Sequence, residues 1–222
     1  MVRRISKLIV FCLVPIVVAS GATAEEQDVA STYGSEPMEI GIAAFTVNNV
    51  KGTIQNKVVK IEISDPIYQQ EIIETDANST TQFLFLDETV LTVGPESRLV
   101  LDEMFFDPNG TNGKVVMSAM KGLFTFISGS LPSESYEVKT PTATIGMRGT
   151  KFDLFVARNG ASTVILRSGA VDVKNLRGVT RRITKVGLAT RVSTRRSAPT
   201  KPDRPSLQLE KLFKPLVNPG EL

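Results

Sequence analysis

The chain has 222 residues, 41% of them hydrophobic and 22% charged, with 26 basic and 23 acidic side chains and neither His nor Trp. Those proportions suit one ordinary globular core with a tail. The absence of His and the single cysteine, Cys12, exclude His-based acid–base chemistry and Cys/His metal centres.

The chain opens with a cationic stretch, MVRRISK, then an apolar run, LIVFCLVPIVVASG, then the small residues ATA. That order is a secretory signal peptide over residues 1–24, with cleavage expected after Ala24. The apolar run is short for a bilayer span and Pro15 interrupts it. The expectation is a periplasmic or secreted protein whose mature form spans no membrane, with a lead-in over residues 25–41. Arg3, Arg4 and Lys7 are the only charges in the signal, so the remaining chain carries 23 of each sign. Cys12 leaves with it, and the mature protein must fold by core packing without a disulfide.

From residue 42 to 192 the pattern has a period of two. AFTVNNV, KVVKIEI, TQFLFL, TVLTV, SRLVLDEM, KVVMSAM, GLFTFISG, SYEVKT, FDLFVAR, STVILRS, AVDVKN and RRITKV are short runs rich in Val, Ile, Thr and Phe, and turn residues separate them. The spacing predicts an all-β domain, either a sandwich or a short solenoid-like stack of antiparallel strands. A flexible basic tail follows. Residues 174–204 hold ten Lys or Arg against the single acid Asp203, and STRRSAPTKPDRPS has the composition of a linker. In LQLEKLFKPL, the side chains of Leu207, Leu209, Leu212, Phe213 and Leu216 fall mostly on one helical face, which Pro215 interrupts. That pattern reads as a short docking helix or a disordered motif, and deletion of residues 193–222 is expected to leave the fold intact.

The stretch TPTATIGMRGTKF, residues 140–152, holds no nucleophile or metal ligand. Read as a strand from YEVK onward, it places Val138, Thr140, Thr142 and Thr144 on one face and Lys139, Pro141, Ala143 and Ile145 on the other. Pro141 predicts an edge or a bulge, and Gly146 and Gly149 allow a tight reversal with positive φ or a close backbone approach. Arg148 turns inward to loop carbonyls or to a carboxylate such as Asp87 or Asp102, or points outward to an anion; the inward arrangement is the expected one. This segment, with the upstream run DPIYQQEIIETDANSTTQFLFLDETVLTVGPESRLVLDEMFFDP and with GLFTFISG, resembles the FecR domain family over roughly residues 45–175. The resemblance implies an all-β periplasmic module without catalytic residues or cofactors, in a family known for relaying a signal from an outer-membrane receptor to a sigma factor. Thr140, Pro141, Thr142, Gly146, Arg148, Gly149 and Thr150 match its signature turn and Gly94, Pro95 and Ser97 its middle hairpin, both expected to be fold determinants.

The enzymatic alternative rests on the pairs Asp87/Glu88 and Asp102/Glu103, but neighbours on a strand point to opposite faces. Asp107, Asn109 and Thr111 alternate like the start of a calcium loop, yet Ser118 stands where the closing Glu is needed. Two non-enzymatic readings follow. The first is a protein-interaction or sensing module that docks on an envelope protein through a strand edge or its C-terminal segment. The second binds anionic envelope glycan or lipid through Arg181, Arg182, Arg191, Arg195 and Arg196. Export and the lack of stacking aromatics in the basic stretch argue against nucleic acid.

Overall fold

The computed structural model describes residues 36–107 and 112–217. The expected signal peptide, most of the lead-in, and the loop positions Asn109 and Thr111 lie outside them. In chain order the described strands are β1 (Glu39–Val47), β2 (Val50–Ile54), β3 (Lys57–Lys60), β4 (Pro66–Tyr68), β5 (Ile72–Thr75), β6 (Thr80–Phe85), β7 (Val90–Val93), β8 (Arg98–Phe106), β9 (Gly113–Ile127), β10 (Tyr136–Lys139), β11 (Ala143–Val156), β12 (Ser162–Asn175), β13 (Thr180–Ile183) and β14 (Ala189–Val192). One α-helix, α1 (Leu207–Val217), follows them among the described residues.

Hydrogen bonds join all fourteen strands into one ladder, and three long strands fold that ladder into two layers by changing partners midway. The first half of β9 lies between β8 and β10, and its second half between β7 and β11. The first half of β11 pairs with β10 and the end of β12, and its second half with β9 and the start of β12. β12 carries β14 beside its start and β13 beside its end. One layer is therefore β3-β2-β5-β8-β9-β10-β11-β12-β13, and the other β4-β1-β6-β7-β9-β11-β12-β14. Between them Leu99, Met117, Ala119 and Val138 of the first layer meet Leu91, Phe124, Phe126, Phe152 and Leu154 of the second around a small interior void. Phe126 stacks on Phe152 at 5.6 Å and meets Tyr136 edge-on at 6.0 Å, the geometry aromatic quadrupoles favour.

Each long strand shifts its inward parity where it turns the corner. In β11 Ile145 and Met147 face the core, then Thr150, Phe152, Leu154 and Val156 do. The odd-to-even switch coincides with a register break between Arg148 and Lys151, which is a bulge. β12 switches the other way, from Val164 and Leu166 to Val171 and Val173, at Gly169. There φ is +74, and a Cβ would sit 2.2 Å from the Gly149 carbonyl oxygen, so glycine is required.

Of the two architectures expected, the chain takes the sandwich. One pair, β9 with β10, is parallel rather than antiparallel. The bend of β9 lets residues 128–135 lead the chain back beside Val115.

The tail departs furthest from expectation. Residues 193–206 lie along β14: Ala189 and Asp203 exchange backbone bonds at 2.7 and 3.0 Å, the Thr200 N–H donates to Arg191 O at 3.0 Å, and Asn175 Nδ2 donates to Ser197 O at 2.9 Å. A Pro-, Ser- and Arg-rich sequence cannot build a core, but its backbone can satisfy a free strand edge, where proline is tolerated. Beyond it α1 buries Phe213 and Leu216 against Ile165 and Ala189, with Leu123, Phe155 and Leu209 around them. Only part of the expected apolar face is used, because Leu207 and Leu212 stay exposed. The compact unit therefore begins ahead of residue 42, with β1 from Glu39, and includes the tail.

Candidate functional site

The signature stretch divides into a knot and a bulge. The chain reverses at Thr140–Pro141–Thr142, between β10 and β11, and not at Gly146–Gly149. The two-face assignment of residues 138–145 as one strand is corrected accordingly. Thr140 Oγ1 accepts the Ala143 N–H at 2.9 Å, Ser162 Oγ donates to Thr140 Oγ1 at 2.8 Å, and Thr142 Oγ1 donates to Gly160 O at 2.9 Å. These hydroxyls tie the β10–β11 turn to the β11–β12 turn, and Pro141, with no N–H to satisfy, packs over Gly160.

At the bulge, Gly149 has φ +52. Buried Thr150 accepts the Arg148 N–H at 2.9 Å, donates to Ala170 O at 2.7 Å, and its own N–H reaches Ser128 Oγ at 3.0 Å. Thr150 and Gly149 therefore serve the fold. Gly146 does not have positive φ, and a Cβ there meets nothing within 4 Å. Arg148 is exposed and does not turn inward. Asp87 is engaged by Thr89 Oγ1 at 2.7 Å and Tyr136 Oη at 2.8 Å, and Asp102 by Ser118 Oγ at 2.7 Å.

Gly146 and Arg148 face outward on the same side of β11. Cross-strand register sets Glu137, Gly146, Asp172 and Arg182 in one row, with Arg148 beside Ala170 in the next and Thr144 beside Lys174 on the other flank. The bare backbone at Gly146 is the floor of a cleft of about 550 Å³, which Ser133 and Glu134 help to wall. Arg182 grips Asp172 through both carboxylate oxygens, and this bond holds the Asp172 carboxyl below the usual carboxylate range. Among the described residues Arg148 has no ion pair with a carboxylate. The cleft therefore offers the guanidinium of Arg148 together with the carboxylates of Glu134 and of Glu137, which Lys139 reaches at 3.7 Å.

The middle-hairpin residues serve the fold. Ser97 is buried, its Oγ accepting the Leu123 N–H at 3.1 Å and donating to Pro95 O at 3.1 Å, and the Gly94 N–H donates to Leu123 O at 2.8 Å. Pro95 lines a groove of about 680 Å³ with Leu123, Phe155, Leu212 and Pro215. The five arginines expected to form an anionic-surface contact lie on β13, on β14 and in the segment after β14. Arg182 is held by Asp172, Arg181 is half-buried with its Nε out of solvent, Arg191 sits on β14, and Arg195 and Arg196 flank Pro141 and Thr142.

The carboxylate pairs do not converge. Asp87 is buried, while Glu103 pairs with Lys114 at 2.7 Å. Burial and the bond to Asp87 push the Tyr136 phenol up to about 12, so that it donates to Asp87 throughout the physiological range. Among the described residues no group of three or more His, Cys, Asp or Glu is placed to hold a metal ion, and no helix is long and apolar enough to cross a membrane.

Sequence reasoning missed two features. Glu137, Asp172 and Lys174 gave no signal because only strand register brings them to Arg148. The second is a partly buried bridge: Arg167 Nε donates to Asp153 at 2.6 Å and Nη2 to Glu210 of α1 at 2.7 Å, while Thr125 Oγ1 donates to Asp153 at 2.8 Å. Burial raises the Asp153 carboxyl against the opposing pull of Arg167.

Fold and site together define an all-β two-layer module with an outer-face cleft. Residues 71–172, from the end of the β4–β5 turn into β12, match the model of the FecR protein family. Among solved structures it is similar to a candidate anti-sigma factor from Parabacteroides distasonis ATCC 8503 determined at 2.50 Å, with 15% identity and a TM-score of 0.51 over 64% of this chain and 63% of that one. A structure of the same description and organism at 1.65 Å aligns with 16% identity and a TM-score of 0.48 over 63% and 62%. The likeness is one of fold, and it spans less than two thirds of those chains. No curated protein matches the sequence.

Proposed function

We propose that this is a non-enzymatic protein-interaction or sensing module of the cell envelope, acting in cell-surface signalling, and that it engages its partner at the cleft over Gly146 and Arg148. One observation carries this reading. Two residues of the family signature face solvent side by side, where the fold requires neither the missing side chain of Gly146 nor the guanidinium of Arg148. A residue set kept for packing points inward, whereas a bare floor beside an exposed arginine is what a partner backbone and carboxylate can occupy. The FecR match and the likeness of fold to a candidate anti-sigma factor support a regulatory role, and the signal-like N-terminus supports export.

In-cell crosslinking of the tagged protein, with mass spectrometry of what co-purifies, tests the reading against an Arg148→Glu variant. The expected result is one dominant envelope protein captured by the parent and lost by the variant, with the melting temperature unchanged within about 2 °C. Equal capture by both, or recovery of glycan or lipid alone, overturns it.

A further inference from the structure

At the far end of the first layer, β3 forms an edge of a different character. Among the described residues it pairs only with β2, and the two make a hairpin around Gln55 and Asn56, whose φ values are +47 and +64. All four residues of β3, Lys57-Val58-Val59-Lys60, are exposed, Val58 at 66% and Val59 at 48%. The phase of the ladder is fixed beyond the strand, where the Ile61 N–H donates to Val50 O at 2.9 Å. Antiparallel pairs alternate between bonded and non-bonded, so Lys57, Val59 and Ile61 bond to β2. The N–H and C=O groups of Val58 and Lys60 then point away from the sheet.

We propose that β3 accepts an extended segment of another protein, added to the edge as a further strand, in which two apolar residues lie between two carboxylates. The backbone groups of Val58 and Lys60 supply the ladder. The side chains supply the selection. A strand laid beside β3 faces Lys, Val, Val, Lys in either direction, because the order reads the same both ways. Acidic residues opposite the lysines and apolar ones opposite the valines satisfy every position. A second copy of β3 presents the same outward groups, so Val58 and Lys60 could bond only to Val58 or Lys60 of that copy, and no such register within β3 sets a carboxylate opposite either lysine. The lysines thus favour an acidic strand over a second copy of the chain. Lys57 is the freer of the two, since Lys60 also reaches Glu62 at 3.0 Å. This surface is separate from the Gly146 cleft, and neither proposal depends on the other.

The probes are two capped hexapeptides, TEVVET and its charge-reversed form TKVVKT, each titrated at millimolar concentration into the isotopically labelled protein and read by two-dimensional amide NMR. The acidic peptide is expected to shift and protect the amides of Val58 and Lys60, to bind about fivefold more tightly than the basic one, and to weaken as salt rises. In a Lys57→Glu, Lys60→Glu double variant, whose substitutions are on the surface, the preference should invert. Equal binding of both peptides, no perturbation at Val58 and Lys60, an acidic preference that survives the double substitution, or concentration-dependent shifts at β3 without peptide would each overturn the proposal.

Discussion

Gly146 and Gly169 lie beside the same bulge yet answer to different constraints. At Gly169 a methyl group would meet a carbonyl oxygen at 2.2 Å and φ is +74; at Gly146 it would meet open space. Gly169→Ala is therefore expected to cost about 2 kcal/mol or more, and Gly146→Ala under about 0.5 kcal/mol, as calorimetric melting of the two variants would measure. Comparable losses at both positions would return Gly146 to the fold and remove the basis for the cleft. Glu71 raises a separate question of charge. It is buried, accepts the Tyr68 N–H at 2.9 Å, and desolvation holds its carboxyl above the ordinary 4.5. A carboxyl raised on folding contributes stability that is fully present below the unfolded value and lost as pH rises through the folded value. Glu71→Gln, which keeps an acceptor for Tyr68, should raise the neutral-pH melting temperature by roughly 3 °C. The advantage should shrink to nothing as pH falls below 4.5, and an advantage independent of pH would rule out this cause.

At the scale of elements, the long strands were partly legible in the sequence and the tail was misread. Period-two alternation places most of the strands, because inward Val, Ile, Leu and Phe alternate with polar neighbours. Glycine, the usual marker of a turn, points to a reversal at Gly146–Gly149, whereas the hydroxyls of Thr140, Thr142 and Ser162 turn the chain at residues 140–142. The bulge is nevertheless written in the parity of Ile145 and Met147 against Phe152 and Leu154. Such a switch of phase is visible without coordinates. The cleft was less legible, since Glu137, Asp172 and Arg182 reach Gly146 only through register. The tail was misread because composition reports the inability to form a core and not the presence of an open strand edge. Helix α1 is held chiefly by Phe213, Leu216 and the bridge from Arg167 to Glu210. Phe213→Ala should cost about 3 kcal/mol, and the linker at residues 193–206 should become sensitive to limited proteolysis. A variant that keeps the parent's protease resistance would show that α1 docks by other means.

At the scale of the molecule, the FecR match ends at residue 172 while the fold does not. β13, β14, the edge-following segment and α1 complete the second half of the sandwich. Two consequences follow from removing everything after Val192. β14 would lose the backbone partners that Thr200 and Asp203 provide, leaving an open edge. The face formed by Leu123, Phe155, Ile165 and Ala189 would lose Phe213 and Leu216 and be presented to water. An open edge beside an uncovered apolar face is a template for association between chains. The truncated protein should therefore melt at least several degrees lower than the parent, by the order of 3 kcal/mol for the lost aromatic alone. It should also bind a hydrophobic dye and sediment with a concentration-dependent excess of mass. A detachable tail predicts the opposite, a monomer with unchanged melting. Sedimentation velocity and calorimetry on the same preparation decide between the two. The Gly146 cleft provides an internal control, because it lies on the outer face of the other layer and its lining residues end at Arg182. If truncation lowers stability but partner capture through Arg148 survives below the new melting point, the tail belongs to the scaffold and the signature face to recognition.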